Sequence, residues 1–387
     1  MASGRKRPPF ECIALTLQGG GALGAYQAGV YQALAEADLH PDWVAGISIG
    51  SINAAIIAGN PPETRVEKLR GFWDYITSTP GFDALSSLGR YLMAGDLGRR
   101  LADQVSAATA ATMGVTGFFR PRMAPLFLEP PASPAATSFY DTVPLATTLE
   151  RFVDFDRINA GPTRLSVGAV NVETGNFVYF DSASCRIGPK HIMASGALPP
   201  GFPAIEIEGR HYWDGGLVSN TPLQWVLQFG PRQDTLVFEV DLWSARGPFP
   251  RSIMDVATRE KEIRYSSRTR DNTDRFVDIQ RLRHATANLL ADLPENLRTR
   301  ESAATLEKFA DHKVYNIVHL IYRSKIYEGE SKDYEFSALS MRDHWNAGYN
   351  DAARTLRRRE ALERPKNSAG VAIFDFSSPG PASADPA

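Results

Sequence analysis

The chain has 387 residues, 43% of them apolar, 22% charged and 10% aromatic, enough to bury a core without disulfides or metals, which excludes a small stapled scaffold and wholesale disorder. Its 42 Lys plus Arg against 44 Asp plus Glu leave a net charge of −2, so no global field draws it onto nucleic acid. Cys12 and Cys185 alone support neither a disulfide framework nor a Cys-based zinc site, and a reducing cytoplasm is the expected compartment.

The elements follow in chain order. Residues 1–10 are a short tail, and the apolar run Cys12–Leu17 stops at Gln18, too early for a signal-peptide core. No window reaches the length of a membrane span, so membrane contact is expected to be peripheral at most. Ile13–Leu17 is β-rich, and Ala22–Ala37 places Leu23, Tyr26, Val30 and Leu34 on one helical face. Trp43–Ala45 then runs into Gly46–Gly50 and a small-residue helix, Ser51–Ala58. Between Pro80 and Pro144 the pattern loosens into glycines and prolines, as in an insertion or lid. Phe118, Phe119 and Phe127 lie there near Arg120 and Arg122; such aromatics suit either a headgroup boundary or a buried core loop.

Further strands are expected at Leu165–Val170, Phe177–Phe180 and Leu236–Val240, each set off by Gly, Pro or Asn. Interleaved strands and helices predict an α/β layer fold. Residues 251–300 mix both charges around Phe276, Ile279 and Leu282 at helical spacing, a solvated helix rather than a nucleic-acid patch. Val314–Tyr322 reads as a late strand and Ser340–Leu362 as a final helix. Residues 364–387, rich in Pro, Ser, Ala and Gly, are predicted to be disordered.

Three motifs carry chemistry. The loop Gln18-Gly19-Gly20-Gly21-Ala22-Leu23-Gly24 stands between strand and helix, where glycines turn N–H groups toward an anion. Gly19, Gly21 and Gly24 also satisfy a dinucleotide fingerprint. That reading needs an acid ending the next strand, whereas Asp42 precedes it. The other reading of the loop is an oxyanion hole. Gly46-Ile47-Ser48-Ile49-Gly50 fits a nucleophile elbow, a strand-to-helix turn that lifts a serine hydroxyl clear of the backbone. Tyr212-Trp213-Asp214-Gly215-Gly216 supplies a carboxylate at a sharp turn, a candidate base for that serine.

The glycine loop, the elbow and Asp214-Gly215-Gly216, in this order, resemble the patatin-like phospholipases, and Ala194–Pro203 is similar to a further block of that family. The resemblance spans roughly Ile13 to Asp241. It implies a three-layer α/β fold with a central, mostly parallel sheet, a catalytic domain at 11–245 with the insertion at 80–144, and a mainly helical C-terminal extension at 246–363. Residues after about Arg251 are similar to the extension of one bacterial subgroup. The implied activity is hydrolysis of a lipid or other acyl ester by a Ser48–Asp214 dyad without metal or cofactor. The implied oxyanion donors come from the Gly19–Gly21 loop, chiefly Gly20 and Gly21, with Ile49. Motif glycines are Gly24, Gly46, Gly50, Gly215 and Gly216. Gln18 stands where many members have Asp, and Ile49 where a small residue is common, which would narrow the acyl entrance. A carboxylate of reference pKa about 3.9 is a poor base at neutral pH, so the site must be desolvated and a helix dipole aimed at Ser48. Alternatives are a triad using His344, in the chain order Ser, Asp, His; a catalytically silent lipid- or protein-binding module; and a nucleotide-dependent oxidoreductase resting on the glycine loop alone.

Overall fold

The computed structural model describes residues 7–78, 96–122, 130–131, 133–266, 269–325 and 328–376. Its strands are β1 (Cys12–Leu17), β2 (Trp43–Ile47), β3 (Arg120–Pro121), β4 (Tyr140–Asp141), β5 (Arg164–Asn171), β6 (Phe177–Asp181), β7 (Ile205–Ile207), β8 (Arg210–Asp214), β9 (Thr235–Asp241), β10 (Tyr315–Ile321) and β11 (Val371–Asp375). Nine of them form one sheet in the order β11-β10-β9-β1-β2-β5-β8-β7, with β6 also paired to β5. The run from β11 to β5 is parallel, and β6, β8 and β7 add an antiparallel end.

Parallel strands are normally covered on both faces, and the two-residue period of a strand explains how this sequence does it. Ile13, Leu15 and Leu17 of β1 enter one core, while Cys12 and Ala14 enter the other. The first core includes α1 (Ala25–Glu36), α2 (Ile49–Ala58) and α3 (Arg65–Ile76); the second is closed by Leu223, Val226, Leu227 and Phe276. Helix, sheet and helix make three layers, as expected.

The C-terminal segment is built into this body. β10 and β11 extend the sheet beyond β9, and the helix Ala338–Thr355 lies on α1, tied by Trp345 Nε1 to Gln32 Oε1 (2.7 Å), Tyr349 Oη to Glu36 Oε2 (2.7 Å) and Tyr26 Oη to Asp351 Oδ2 (2.9 Å). This helix ends earlier than its composition suggests, followed by a 3-10 turn at Arg359–Leu362.

Two expectations are corrected. The tail from Arg364 is not unstructured throughout: Val371–Asp375 pairs in parallel with β10, Arg364 pairs with Asp234, and Val371 enters the second core. A five-residue strand is too short to show against a tail of Pro, Ser and Gly. Phe118 and Phe119, candidates for an exposed cover, are buried. Phe119 lies edge-on to Tyr140 (4.9 Å between rings) and tilted against Phe202 (5.2 Å), and Phe118 is tilted against Phe336 (5.8 Å), ring contacts that add to the burial of the pair. Phe127 lies outside the described residues. Of the expected insertion, the described part contains a helix, Asp96–Met113, and the small β3–β4 ribbon.

Candidate active site

Strand register delivers the three motifs to one place. β1 and β2 are parallel neighbours with Leu17 opposite Gly46, so the glycine loop and the elbow leave the sheet side by side. β2 aligns Ile47 with Gly168 of β5, and β5 aligns the next residue, Ala169, with Asp214 of β8. Asp214 therefore emerges level with Ser48 although 166 positions separate them in the numbering.

Ser48 has φ 53° and ψ −124°, a left-handed conformation that costs a non-glycine residue on the order of 1–3 kcal/mol. The strain is enforced by close packing. A Cβ on Gly46 would overlap the Gly50 carbonyl group, and one on Gly50 would overlap the Leu17 carbonyl. The Ser48 N–H donates to Ser195 Oγ (3.0 Å), while its carbonyl accepts from Ser51 Oγ (2.6 Å). α2 starts at the next residue, placing the positive end of its dipole at the serine.

Asp214 is buried, and its Oδ1 accepts the Gly216 N–H at 2.7 Å. The Ser48 side chain lies near enough to favour the charged form of its carboxylate. Its own N–H donates to Ala197 O at 3.0 Å, so the block containing Ser195 and Ala197 steadies both residues at once. Burial pushes the Asp214 carboxyl up to about 6, against the influence of Ser48 and the bond from Gly216, which favour the charged form. This is a more capable base near neutrality than an exposed aspartate. The histidines make their contacts elsewhere. His344, for instance, is held by Glu328 Oε1 (3.3 Å) and packs on Tyr322, and His191 caps its own helix through Gly188. None of the seven is hydrogen-bonded to Ser48 or Asp214 in the described structure.

The glycine loop divides its N–H groups. That of Gly19 goes to Asn220 O at 3.4 Å, so Gly19 does not serve as a free donor, contrary to expectation. Among the described residues no acceptor takes the N–H of Gly20, Gly21 or Ile49. Gly21 needs glycine for its φ of 55° and because a Cβ there would overlap the Asp333 carbonyl. Gly24 admits the Ile49 side chain, which is buried against it; the isoleucine is absorbed into packing instead of standing in an entrance. Gly215 continues the close approach, with its Cβ position 2.7 Å from Gly168 O.

Residues outside the motifs complete the arrangement. Gln18 Oε1 accepts from the N–H groups of Leu242 (2.6 Å) and Trp243 (2.9 Å), and Nε2 donates to Thr221 Oγ1 (3.0 Å) and Tyr265 O (3.1 Å). An aspartate has no donor to make the last two bonds, which gives the departure to Gln a physical role. Asn220, Trp243 and Tyr265 surround the loop but share no spacing pattern that marks them in the sequence. The Tyr265 phenol is half-buried, and its pKa is raised first by burial and then by the charges of Asp214 and Asp333. Among the described residues no group of His, Cys, Asp or Glu is arranged to hold a metal ion, and no helix is long and apolar enough to cross a membrane.

The sheet and the groups gathered at its edge define the class, an α/β protein with a serine elbow beside a buried carboxylate. The model of the patatin-like phospholipase family matches residues 15–226, more than half of the chain, and a second model, described as patatin phospholipase, matches residues 263–368. The chain belongs to the patatin-like phospholipase family. A patatin-like phospholipase domain-containing protein of Caenorhabditis elegans, ZK370.4, is 40% identical over 83 residues, which are 21% of this chain and only 6% of that relative's length. Among solved structures, VipD from Legionella pneumophila is 14% identical with a TM-score of 0.39, over 97% of this chain and 77% of that one. The type III effector ExoU is 15% identical with a TM-score of 0.30, over 92% and 54%.

Proposed function

We propose that the protein is a serine-dependent lipid acyl hydrolase in which Ser48 is the nucleophile and Asp214 the general base. The observation that carries this reading is a serine held in a strained elbow, delivered by strand register beside a buried carboxylate that burial pushes up to about 6. Asp214 takes the hydroxyl proton as Ser48 Oγ attacks the ester carbonyl. The carbonyl oxygen becomes an oxyanion beside the unused N–H groups of Gly20, Gly21 and Ile49 and the start of α2. Collapse of this intermediate breaks the bond to the alcohol, which leaves with the proton from Asp214, and yields acyl-Ser48. Water, deprotonated by Asp214, attacks the acyl group and releases the fatty acid, returning the proton to Ser48.

The substrate class is an ester of a phospholipid, lysophospholipid or neutral lipid, with activity of the phospholipase A or lysophospholipase type, in the cytoplasm or at the membrane periphery. An ester panel from short-chain nitrophenyl esters to phospholipid vesicles, run beside Ser48→Ala, tests it. Turnover confined to the wild type supports the reading. Equal turnover in Ser48→Ala removes it.

A further inference from the structure

A peptide group is planar, so holding its carbonyl oxygen fixes the direction of its N–H, which points the opposite way. The Gly19 carbonyl is held by two donors, Asn220 Nδ2 at 3.1 Å and Trp243 Nε1 at 2.9 Å. The N–H of that same peptide belongs to Gly20, one of the donors left unused, and Ser48 Cβ stands beside Gly19, 3.0 Å from where its Cβ would be. Asn220 is itself buried, and its backbone carbonyl takes the Gly19 N–H. Its amide has two hydrogens, and Nδ2 also donates to Tyr265 O at 2.9 Å, at the end of the helix Ile253–Tyr265. Its Oδ1 reaches the third motif as well, lying 3.1 Å from the Cβ position of Gly216.

We propose that Asn220 is a positioning residue that aims the Gly20 N–H by gripping the Gly19 carbonyl, and that through the same amide it makes the C-terminal segment part of the oxyanion loop's support. The proposal rests on the hydrolase reading above. It gives the C-terminal segment a role in the reaction through a backbone atom, Tyr265 O, rather than through a side chain. Misaiming a donor by a fraction of an ångström acts on the transition state more than on the bound ester, because charge on the oxygen develops only as the reaction proceeds.

The test is steady-state kinetics on a soluble nitrophenyl ester, with melting temperature measured in parallel, for wild type, Asn220→Asp, Trp243→Phe and Ser48→Ala. Asn220→Asp keeps the shape and deletes the donors, and Trp243→Phe deletes only the second donor on the same carbonyl. The expected result is a fall in kcat of about 10- to 100-fold for Asn220→Asp and a smaller fall for Trp243→Phe, each with KM within about threefold of wild type. If Asn220→Asp does not fold, the kcat of Trp243→Phe decides. A kcat within twofold of wild type in the folded variants, or a loss confined to KM or to the folded fraction, overturns the proposal. Full turnover in Ser48→Ala instead removes the hydrolase reading itself, whereas an inactive Ser48→Ala beside a fully active Asn220→Asp leaves that reading standing and removes only the positioning role.

Discussion

Residues 12–58 and residues 253–336 reach the same site by different means. In the first region β1, β2 and α2 are buried almost throughout, and the chemistry proposed for it uses a side chain and N–H groups set among glycines. In the second, the helix Ile253–Tyr265 buries none of its residues and leaves Ile253, Met254, Val256 and Ile263 exposed. What it brings is a carbonyl, that of Tyr265, bonded by Gln18 and Asn220, while the turn ending at Asp333 sets its own carbonyl against Gly21. The difference teaches that reacting groups must be particular residues at particular spacings, whereas a support made through backbone oxygens can be built from almost any residue.

That contrast breaks most sharply at the dyad. Ser48→Ala and Asp214→Asn should each lower kcat by at least about 10³-fold while the protein stays folded, and the double variant should be no worse than either, as for groups that act as a unit. Additive losses would mean that the two work separately.

Next in size is a pair of glycine substitutions. Gly50→Ala drives a Cβ into the Leu17 carbonyl, an overpacking that should cost about 3 kcal/mol in denaturant unfolding. Gly329→Ala in the C-terminal segment meets nothing within 4 Å and should leave the midpoint unchanged. Equal effects at both positions would erase the distinction between the regions. Removing residues 364–387 takes away β11 and the Arg364–Asp234 pair; the expected loss is about 2 kcal/mol of stability, with kcat per folded molecule retained. A deletion that melts like wild type would show that β11 contributes no stability.

The smallest effect is in pH dependence. Asp214 must be ionised to accept a proton, so kcat/KM should rise with a midpoint near pH 6. The folded pKa, about 6, lies above the ordinary 3.8, so the folded protein holds this proton more tightly than the unfolded chain does. The contribution to stability is therefore fully present below 3.8 and lost as pH rises to about 6. Asp214→Asn, which avoids burying the charge, should melt above wild type at pH 8 and level with it at pH 4. The reverse order would place the carboxylate in a solvated or paired setting.

Much of this was legible in the sequence for identifiable reasons. Gly46 and Gly50 flank Ser48 where a Cβ would overlap backbone, and Leu165–Val170, Leu236–Val240 and Val314–Tyr322 announce strands by composition. The gathering of Ser48 and Asp214 was readable only through the family resemblance, since it depends on β5 bridging β2 and β8. Asn220 and Tyr265 stayed hidden because one is an unremarked amide and the other acts through its backbone. Phe118 and Phe119 left two readings open because an aromatic pair beside arginines looks alike at a lipid surface and inside a ring cluster, and only the fold places them in the second. β11 was masked by the flanking tail.

The most direct test of the central claim is peptide mapping by mass spectrometry after reaction with a fluorophosphonate, on wild type and Asp214→Asn. A single adduct on Ser48 is expected in the wild type, forming faster as pH rises through about 6, and almost none in Asp214→Asn. An adduct on another serine, or undiminished labelling of Ser48 without the Asp214 carboxylate, would contradict it.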